Sequence, residues 1–237
     1  MEGFGGWAVT RVLLVPGSGF GAWAFDRLIP ELAALGHQAR AIDLPGRDGR
    51  AATLDDHARA IRAALAGPTI LIGHSAGGYP ITAAAQTAPD LVSGLIYLAA
   101  YIPRPGKSLA DLRRAGHAQP MRGAFQISPD CASYRFDPAR CADLFFHDCP
   151  DAAALTARMG PEPIAPQETP FPGPLPPLPR AALIARDDRA IPPDWQRAMA
   201  AGMAQEELAS GHCPHLSMPG PLAQVIHRIL STFPVGN

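Results

Sequence analysis

The 237-residue chain has little of what marks membrane, secreted or nucleic-acid-binding proteins. Only 17% of its residues are charged, and 20 Lys and Arg against 21 Asp and Glu leave a net charge of -1 without a basic run. We therefore expect no nucleic-acid partner. No apolar run reaches the roughly 18 residues that a membrane helix needs, and residues 1–10 lack the pattern of a secretory leader. These absences predict a soluble, cytoplasmic protein that does not bind membranes.

Cysteine is also scarce, and its spacing shows no paired C-x-x-C motif. Four cysteines are too few for a disulfide framework in a chain of this length, so we expect free thiols. His212 and His215 form a His-x-x-His pair, but without a third ligand this spacing is a weak metal signal. We expect neither a metal nor a cofactor. The four cysteines are Cys131, Cys141, Cys149 and Cys213.

A hydrophobic content of 47% is present instead, enough for one sizeable domain over residues 1–237, and it permits a homodimer. Short β-type runs alternate with helical patterns, which predicts an α/β fold whose parallel sheet carries helices on both faces. The predicted strands are 12–15, 38–42, 69–72, 94–99, 181–185 and 205–208. The predicted helices are 23–35, 54–65, 81–88 and 222–231.

Residues 101–167 break this alternation and predict an insertion over the carboxyl edge of the sheet. Short helical patterns occur there at 109–115, 138–146 and 151–159. The following run, 161–179, contains nine prolines. Because proline lacks an N–H donor and fixes φ, we expect an extended connector there, without a helix or a central strand.

The segment 73–78, Gly-His-Ser-Ala-Gly-Gly, has the pattern of a nucleophile elbow. It follows a predicted strand and precedes a predicted helix, which is the context the motif requires. Such a turn holds its serine in strained dihedrals and excludes Cβ atoms at Gly73 and Gly77. We expect Ser75 to be the nucleophile and the Ala76 N–H to be one oxyanion donor.

Serine needs a base and a carboxylate that orients the base, and in this fold they follow in the order Ser, Asp, His. Asp188 lies just past the predicted strand 181–185, and His212 lies between the last predicted strand and the last helix. Asp187 competes with Asp188 for the orienting role, which we assign to Asp188. The predicted triad is Ser75, Asp188 and His212.

Together these residues resemble the α/β-hydrolase family, and within it the small esterases related to plant methylesterases and hydroxynitrile lyases. The likeness covers nearly the whole chain and implies an α/β-hydrolase sheet with a small helical cap at about 101–167. The segments that carry it are 12–23 (VLLVPGSGFGAW), 41–46 (AIDLPG), 73–78, 97–103, Asp188 with Ile191 and Pro192, and Gly211 with His212.

The resemblance also implies a second oxyanion donor, the Ser18 N–H, although Pro16 stands where the family usually has a histidine. Hydroxynitrile lyases of this branch have Lys after the catalytic His and Thr in the first loop. This chain has Cys213 and Gly17 there, so cyanohydrin cleavage is not expected. Haloalkane dehalogenases use Asp as the nucleophile, which Ser75 argues against.

A dinucleotide-binding alternative rests on residues 17–22, which fit G-x-G-x-x-A and precede Asp43 at the end of the next strand. That interpretation leaves Ser75, Asp188 and His212 without a role. The hydrolase interpretation uses the same glycine-rich loop to hold an oxyanion, so we favour it.

We therefore hypothesise an esterase that forms an acyl-enzyme with a small ester substrate, apolar or aromatic in character. Lactone hydrolysis, carbon–carbon bond hydrolysis and a slow-turnover small-molecule receptor remain alternatives. The residues predicted to line the substrate pocket are Gly19, Phe20, His74, Tyr79, Phe146, His147 and Trp195.

Overall fold

The computed structural model describes residues 10–233. The expectation that residues 1–10 contain no leader therefore falls, except for Thr10, outside the described residues. Among the residues described, no helix is long and apolar enough to cross a bilayer.

Within residues 10–233, nine strands form two sheets of very different size. Six parallel strands make the main sheet in the order β2-β1-β3-β4-β8-β9, and β5-β6-β7 form a small antiparallel sheet. The predicted α/β-hydrolase sheet is thereby confirmed. The strands are β1 (Arg11–Val15), β2 (Gln38–Ala41), β3 (Thr69–His74), β4 (Val92–Leu98), β5 (Phe125–Ile127), β6 (Ser133–Phe136), β7 (Glu162–Pro163), β8 (Arg180–Ala185) and β9 (Ala204–Leu208).

In the described part of the chain, ten α-helices pack around these sheets, and three short 3-10 turns occur at Ala22–Phe25, Ser75–Gly77 and Pro89–Leu91. Buried side chains form one continuous hydrophobic cluster that runs from the main sheet into the insertion. The helices are α1 (Leu28–Ala34), α2 (Leu54–Ala63), α3 (Gly78–Thr87), α4 (Leu109–Ala115), α5 (Pro138–Phe145), α6 (Ala152–Arg158), α7 (Ala165–Glu168), α8 (Pro193–Met199), α9 (Pro214–Ser217) and α10 (Pro219–Thr232).

The single helical pattern predicted at 23–35 is two elements, the turn Ala22–Phe25 and helix α1. Pro30 explains the division. In a helix that began at residue 22, its ring would clash with the carbonyl of Asp26, whereas the first turn of α1 tolerates proline.

The insertion contains the predicted helices and, in addition, a small sheet. The helices expected at 109–115, 138–146 and 151–159 are present as α4, α5 and α6, but the antiparallel sheet of β5, β6 and β7 was not predicted. Aromatic rings on neighbouring strands hold it together: Phe125 lies 5.1 Å from Tyr134 and 5.4 Å from Phe136 between ring centroids. Strands of two to four residues are too short to leave a period in the sequence.

The prediction of a wholly extended connector at 161–179 is wrong, because β7 and α7 lie within it. Proline is tolerated at both places. Strand β7 pairs with β6 alone and is therefore an edge strand, and Pro166 lies in the first turn of α7.

The order of the strands determines where a site can form. The chain runs outward from β1 to β2 and then returns to place β3 on the other side of β1. In open α/β sheets the crevice at such a reversal, outside the carboxyl ends of the strands, is where ligands bind. The loops after β1 and β3 begin at Pro16 and Ser75 and meet at this crevice.

Candidate active site

Ser75 lies at the tip of a sharp turn between β3 and α3 with φ +55°, a left-handed value that non-glycine residues rarely adopt. Three glycines permit the turn. A Cβ on Gly73 would lie 2.5 Å from the Gly77 carbonyl oxygen, and one on Gly77 would lie 2.7 Å from that of Val15. A Cβ on Gly78 would overlap the Tyr101 carbonyl oxygen, a requirement the sequence analysis did not recognise.

Two neighbours fix the turn from outside. The Tyr101 N–H donates to the Ser75 carbonyl at 3.1 Å. Gly17 approaches so closely that a Cβ there would lie 2.7 Å from the Ser75 Cβ. The glycine-rich loop after β1 therefore lies directly against the serine.

His212 and Asp188 form a buried pair at the same edge of the sheet. The His212 Nδ1 lies 2.7 Å from the Asp188 Oδ2, and both side chains are fully buried. Because a carboxylate can only accept, this contact makes Nδ1 the protonated nitrogen. The buried Nε2 has no hydrogen-bond partner among residues 10–233, so it is free to accept a proton.

Asp188 is held rigidly by three further donors. Its Oδ1 accepts from the amides of Ala190 at 2.7 Å and Ile191 at 2.9 Å, and its Oδ2 accepts from the Gln196 side chain at 2.8 Å. Asp187 is exposed. The carboxylate facing His212 is thus that of Asp188. Gln196, on α8, was missed because a lone glutamine in a helix carries no signal in the sequence.

His74 and His215 lie behind the pair and stay neutral, because burial lowers the pKa of His74 well below its usual value and that of His215 to about 3. His74 donates from Nε2 to the His212 carbonyl at 3.0 Å, which ties the strand of the elbow to the loop of the base. Within the described residues, His74, Cys213 and His215 are also the one group whose donor atoms could share a metal ion, all lying within 4.8 Å of one another.

The loop after β1 is held on both sides of Ser18 by a buried ion pair. Arg47 Nη1 lies 2.6 Å from Glu162 Oε2 and donates to the Gly17 carbonyl at 2.7 Å. Glu162 Oε2 also accepts from the Gly19 amide at 3.0 Å. Burial raises the pKa of Glu162, while Arg47 and these hydrogen bonds oppose the rise. Neither residue was predicted, because one lies in the loop after β2 and the other in the insertion.

The Ser18 amide lies between these two fixed points. Among residues 10–233 it donates to no acceptor. Ala76 is the second residue of the turn Ser75–Gly77, and the first amides of a helical turn lack an intrahelical acceptor. Both amides belong to residues that line the same cavity as Ser75.

Asp43, the acidic residue of the dinucleotide-binding alternative, is already occupied. Its Oδ1 accepts from the Ala22 amide at 2.7 Å, and a Cβ on Gly21 would lie 2.7 Å from the same oxygen. Through Oδ1 the carboxylate therefore fastens the glycine-rich loop to the strand end.

A narrow cavity, here called the nucleophile cavity, opens in front of Ser75. Ser18, Phe20, Ser75 and Ala76 line it, together with aromatic residues of the insertion. Of the seven predicted pocket residues, Phe20 is the one on its wall. The aromatic residues contributed by the insertion are Tyr101, Tyr134, Phe136 and Phe145.

The other predicted pocket residues lie around this cavity but do not line it. Gly19 binds Glu162, and His74 binds the His212 carbonyl. Phe146 is buried behind Phe20, with ring centroids 5.8 Å apart.

Three predicted pocket residues lie farther out. The Tyr79 hydroxyl donates to the Lys107 carbonyl at 3.0 Å beside a separate small cleft. His147 is next to Gly211, where an added Cβ would lie 2.6 Å from its Cε1. Trp195 lines a second, larger cavity and donates from Nε1 to the Leu112 carbonyl.

Comparison with known proteins agrees with this geometry. Residues 12–225 match the family described as "Alpha/beta hydrolase family". The chain is 32% identical over 249 residues to a pyrethroid hydrolase of Sphingobium wenxiniae, covering 92% of this chain and 86% of that protein. It is 26% identical over 261 residues to a putative chloroplastic methylesterase 14 of Arabidopsis thaliana, covering 94% and 71%.

A solved structure supports the same relationship. A pyrethroid hydrolase from Sphingobium faniae JZ-2 superimposes with a TM-score of 0.85 at 28% identity, over 95% of this chain and 98% of that one. The similarity thus includes the insertion as well as the sheet.

Proposed function

We propose, since this chain belongs to the alpha/beta hydrolase family and is a hydrolase of the esterase type, that it cleaves carboxylic esters with Ser75 as its nucleophile. The observation that carries the proposal is the His212–Asp188 contact at 2.7 Å. It leaves Nε2 unpaired at the edge of the sheet where the strained Ser75 lies. This arrangement of a base, its orienting carboxylate and a serine at the tip of a sharp turn is the one that acyl transfer requires.

In the proposed reaction the Ser75 Oγ attacks the ester carbonyl while His212 Nε2 takes its proton. The tetrahedral intermediate collapses, His212 returns the proton to the leaving alcohol, and an acyl-enzyme remains. Water, activated by the same nitrogen, then releases the acid. Asp188 fixes the tautomer of His212 throughout and stabilises the imidazolium.

The Ser18 and Ala76 amides are the proposed donors to the oxyanion. The Arg47–Glu162 pair supports this role because it holds the residues on either side of Ser18. A preorganised donor needs no reorganisation when charge develops, which is the source of its effect. In this chain the ion pair would steady the loop that begins at Pro16.

The substrate we propose is a small ester with an apolar or aromatic part. Phe20 and four aromatic residues of the insertion line the cavity in front of the serine, and such walls bury rings and alkyl groups well. The related methylesterase is named for an ester substrate, which favours an ester over a lactone or a carbon–carbon bond. Action in the cytoplasm stays a prediction.

The test is p-nitrophenyl ester hydrolysis by the wild type and by Ser75→Ala. We expect Ser75→Ala to lower kcat by roughly 10⁶-fold, as removal of a catalytic serine does in other hydrolases. Ser231→Ala is the matched control, because Ser231 is exposed on α10 and bonds only to the Arg228 carbonyl. A slow-turnover receptor would bind esters without measurable turnover. Wild-type rates in Ser75→Ala would refute the proposal.

A further inference from the structure

The second cavity, here called the outer cavity, has a volume of about 250 Å³ and adjoins the nucleophile cavity. Tyr101, Arg113 and Met121 line both. The two cavities therefore share a wall formed by these three side chains.

The charged side chains that line the outer cavity are all positive. Its charged lining residues are Arg113, Arg114 and Arg122, and none is acidic. Arg114 is neutralised by Asp111 at 3.0 Å and Glu168 at 3.3 Å, and Arg122 is exposed to solvent. Arg113 alone reaches the nucleophile cavity, where it is the one charged lining residue.

Arg113 is half-buried and lacks a counter-ion. Its guanidinium lies over the Phe125 ring, 4.6 Å from the centroid. Within residues 10–233 the Arg113 guanidinium makes neither a hydrogen bond nor an ion pair. A guanidinium has five N–H donors and no acceptor, so its donors remain available to a ligand.

Tyr101 and Tyr134 add two hydroxyl groups beside Arg113. Burial raises the pKa of both phenols, so they stay protonated, and the Arg113 charge partly opposes that rise in each. Both hydroxyl groups can thus donate, and they are set among Met121, Phe125 and Phe136. Few convergent polar groups within an apolar wall are typical of a ligand subsite.

We infer that Arg113 binds an anionic group of the substrate, such as a carboxylate on the end of the acyl chain that enters the outer cavity. The inference rests on the proposed function, because it assigns the substrate class of the same site. The substrates it favours are half-esters of dicarboxylic acids: one carboxyl group is the ester cleaved at Ser75, and the other is free and ionised.

The first experiment compares two substrates that differ only in this charge, p-nitrophenyl hydrogen adipate and methyl p-nitrophenyl adipate, by release of p-nitrophenolate. Suberate analogues vary the length. We expect wild-type kcat/KM to be about tenfold higher for the free acid, the effect of one charged hydrogen bond. In Arg113→Met the ratio should fall to about one, and Arg113→Lys should keep part of it because charge without the planar fork binds less well.

Arg158→Met is the matched control. Arg158 also lies over an aromatic ring, 4.4 Å from the Trp23 centroid, but it lines neither cavity. It should keep the wild-type preference for the free acid. An equal preference in wild type and Arg113→Met would overturn the inference, and would mean that Arg113 only covers Phe125.

A second measurement separates this inference from the proposed function. Calorimetry on Ser75→Ala protein, which requires no turnover, compares binding of monomethyl adipate and dimethyl adipate. We expect about tenfold tighter binding of the monoanion, lost when Arg113→Met is added. Anion preference without wild-type ester turnover would refute the proposed function alone. Equal affinity for both esters would refute the anion subsite alone.

Discussion

The carboxyl edge of the main sheet and the insertion above it differ in how far their polar side chains are hydrogen-bonded. At the edge, Asp188 receives four hydrogen bonds and is fully buried. In the insertion, Arg113 lies between two cavities with its donors unused by residues 10–233. Groups that perform the chemistry must be preorganised, whereas groups that select a substrate must keep donors available to bind it. In the proposed function, the edge thus supplies the reacting groups and the insertion supplies the group that selects the substrate.

Apart from loss of Ser75 itself, the largest expected effect at the edge comes from Asp188. Asp188→Asn should keep the fold but lower kcat by about 10⁴-fold, because an amide allows the wrong tautomer of His212. Asp187→Asn is the control, since Asp187 is exposed and should stay within about twofold. Ester kinetics on both variants measure the difference, and a larger loss at Asp187 would reverse the assignment.

The next largest effect should come from Glu162, which joins the insertion to the loop after β1. Glu162→Gln leaves Arg47 without its charge partner, and the loss of one member of a buried pair costs about 3–5 kcal/mol of unfolding free energy. Denaturant unfolding measures this cost. If Glu162 also positions the Ser18 amide, kcat should fall about tenfold with KM little changed, short of the loss from deleting a donor outright.

A paired variant separates stability from positioning. Arg47→Met with Glu162→Met removes both charges, so much of the stability should return. The Gly17 carbonyl and the Gly19 amide would still lack their partners, and kcat should stay low. Recovery of kcat together with stability would show that the pair has no positioning role.

Acid should lower the unfolding free energy through buried histidines that lie outside the insertion. Burial lowers the pKa of His57 to about 4 and that of His215 to about 3. Both pKa values are below the unfolded value of about 6.5, so the unfolded chain binds more protons and stability falls as pH drops below 6.5. At pH 5 the loss is up to about 2 kcal/mol for each. Urea unfolding at pH 7.5 and pH 5 measures it, and a His57→Gln variant with an unchanged pH dependence would contradict it.

The smallest effects come from one substitution made in both regions. Ile96, on β4, is fully buried, whereas Ile127, on β5 of the insertion, is 62% exposed. Ile96→Val should lower the unfolding free energy by about 0.5–1.5 kcal/mol. Ile127→Val should change it by less than about 0.5 kcal/mol. Equal losses would indicate that Ile127 is covered by another molecule in solution.

The edge of the sheet could be predicted from the sequence because its signals are local. The central strands β1, β3, β4 and β8 are short apolar runs, and the elbow needs glycines within five residues of one another. Asp188 and His212 follow strand ends, so their common edge follows from the topology of a parallel sheet. Their 2.7 Å contact and the choice between Asp187 and Asp188 required coordinates.

The insertion could not be predicted in the same detail, because its contacts join distant residues. Glu162 meets Gly19 across 143 positions, and Gln167 meets Ser18 across 149. The aromatic residues near the serine also show the difficulty. Phe20 lines the nucleophile cavity while Phe146, equally apolar, lies behind it. Composition cannot distinguish a ring that lines a cavity from one that packs against it.

The most direct test of the account is where a fluorophosphonate attaches. The reagent reacts with serines that an adjacent base activates, and peptide mapping by mass spectrometry identifies the modified residue. We predict a single adduct on Ser75, lost in Ser75→Ala and formed far more slowly in Asp188→Asn. An adduct on another serine would contradict the central claim. So would a protein that hydrolyses esters but is not labelled by the reagent.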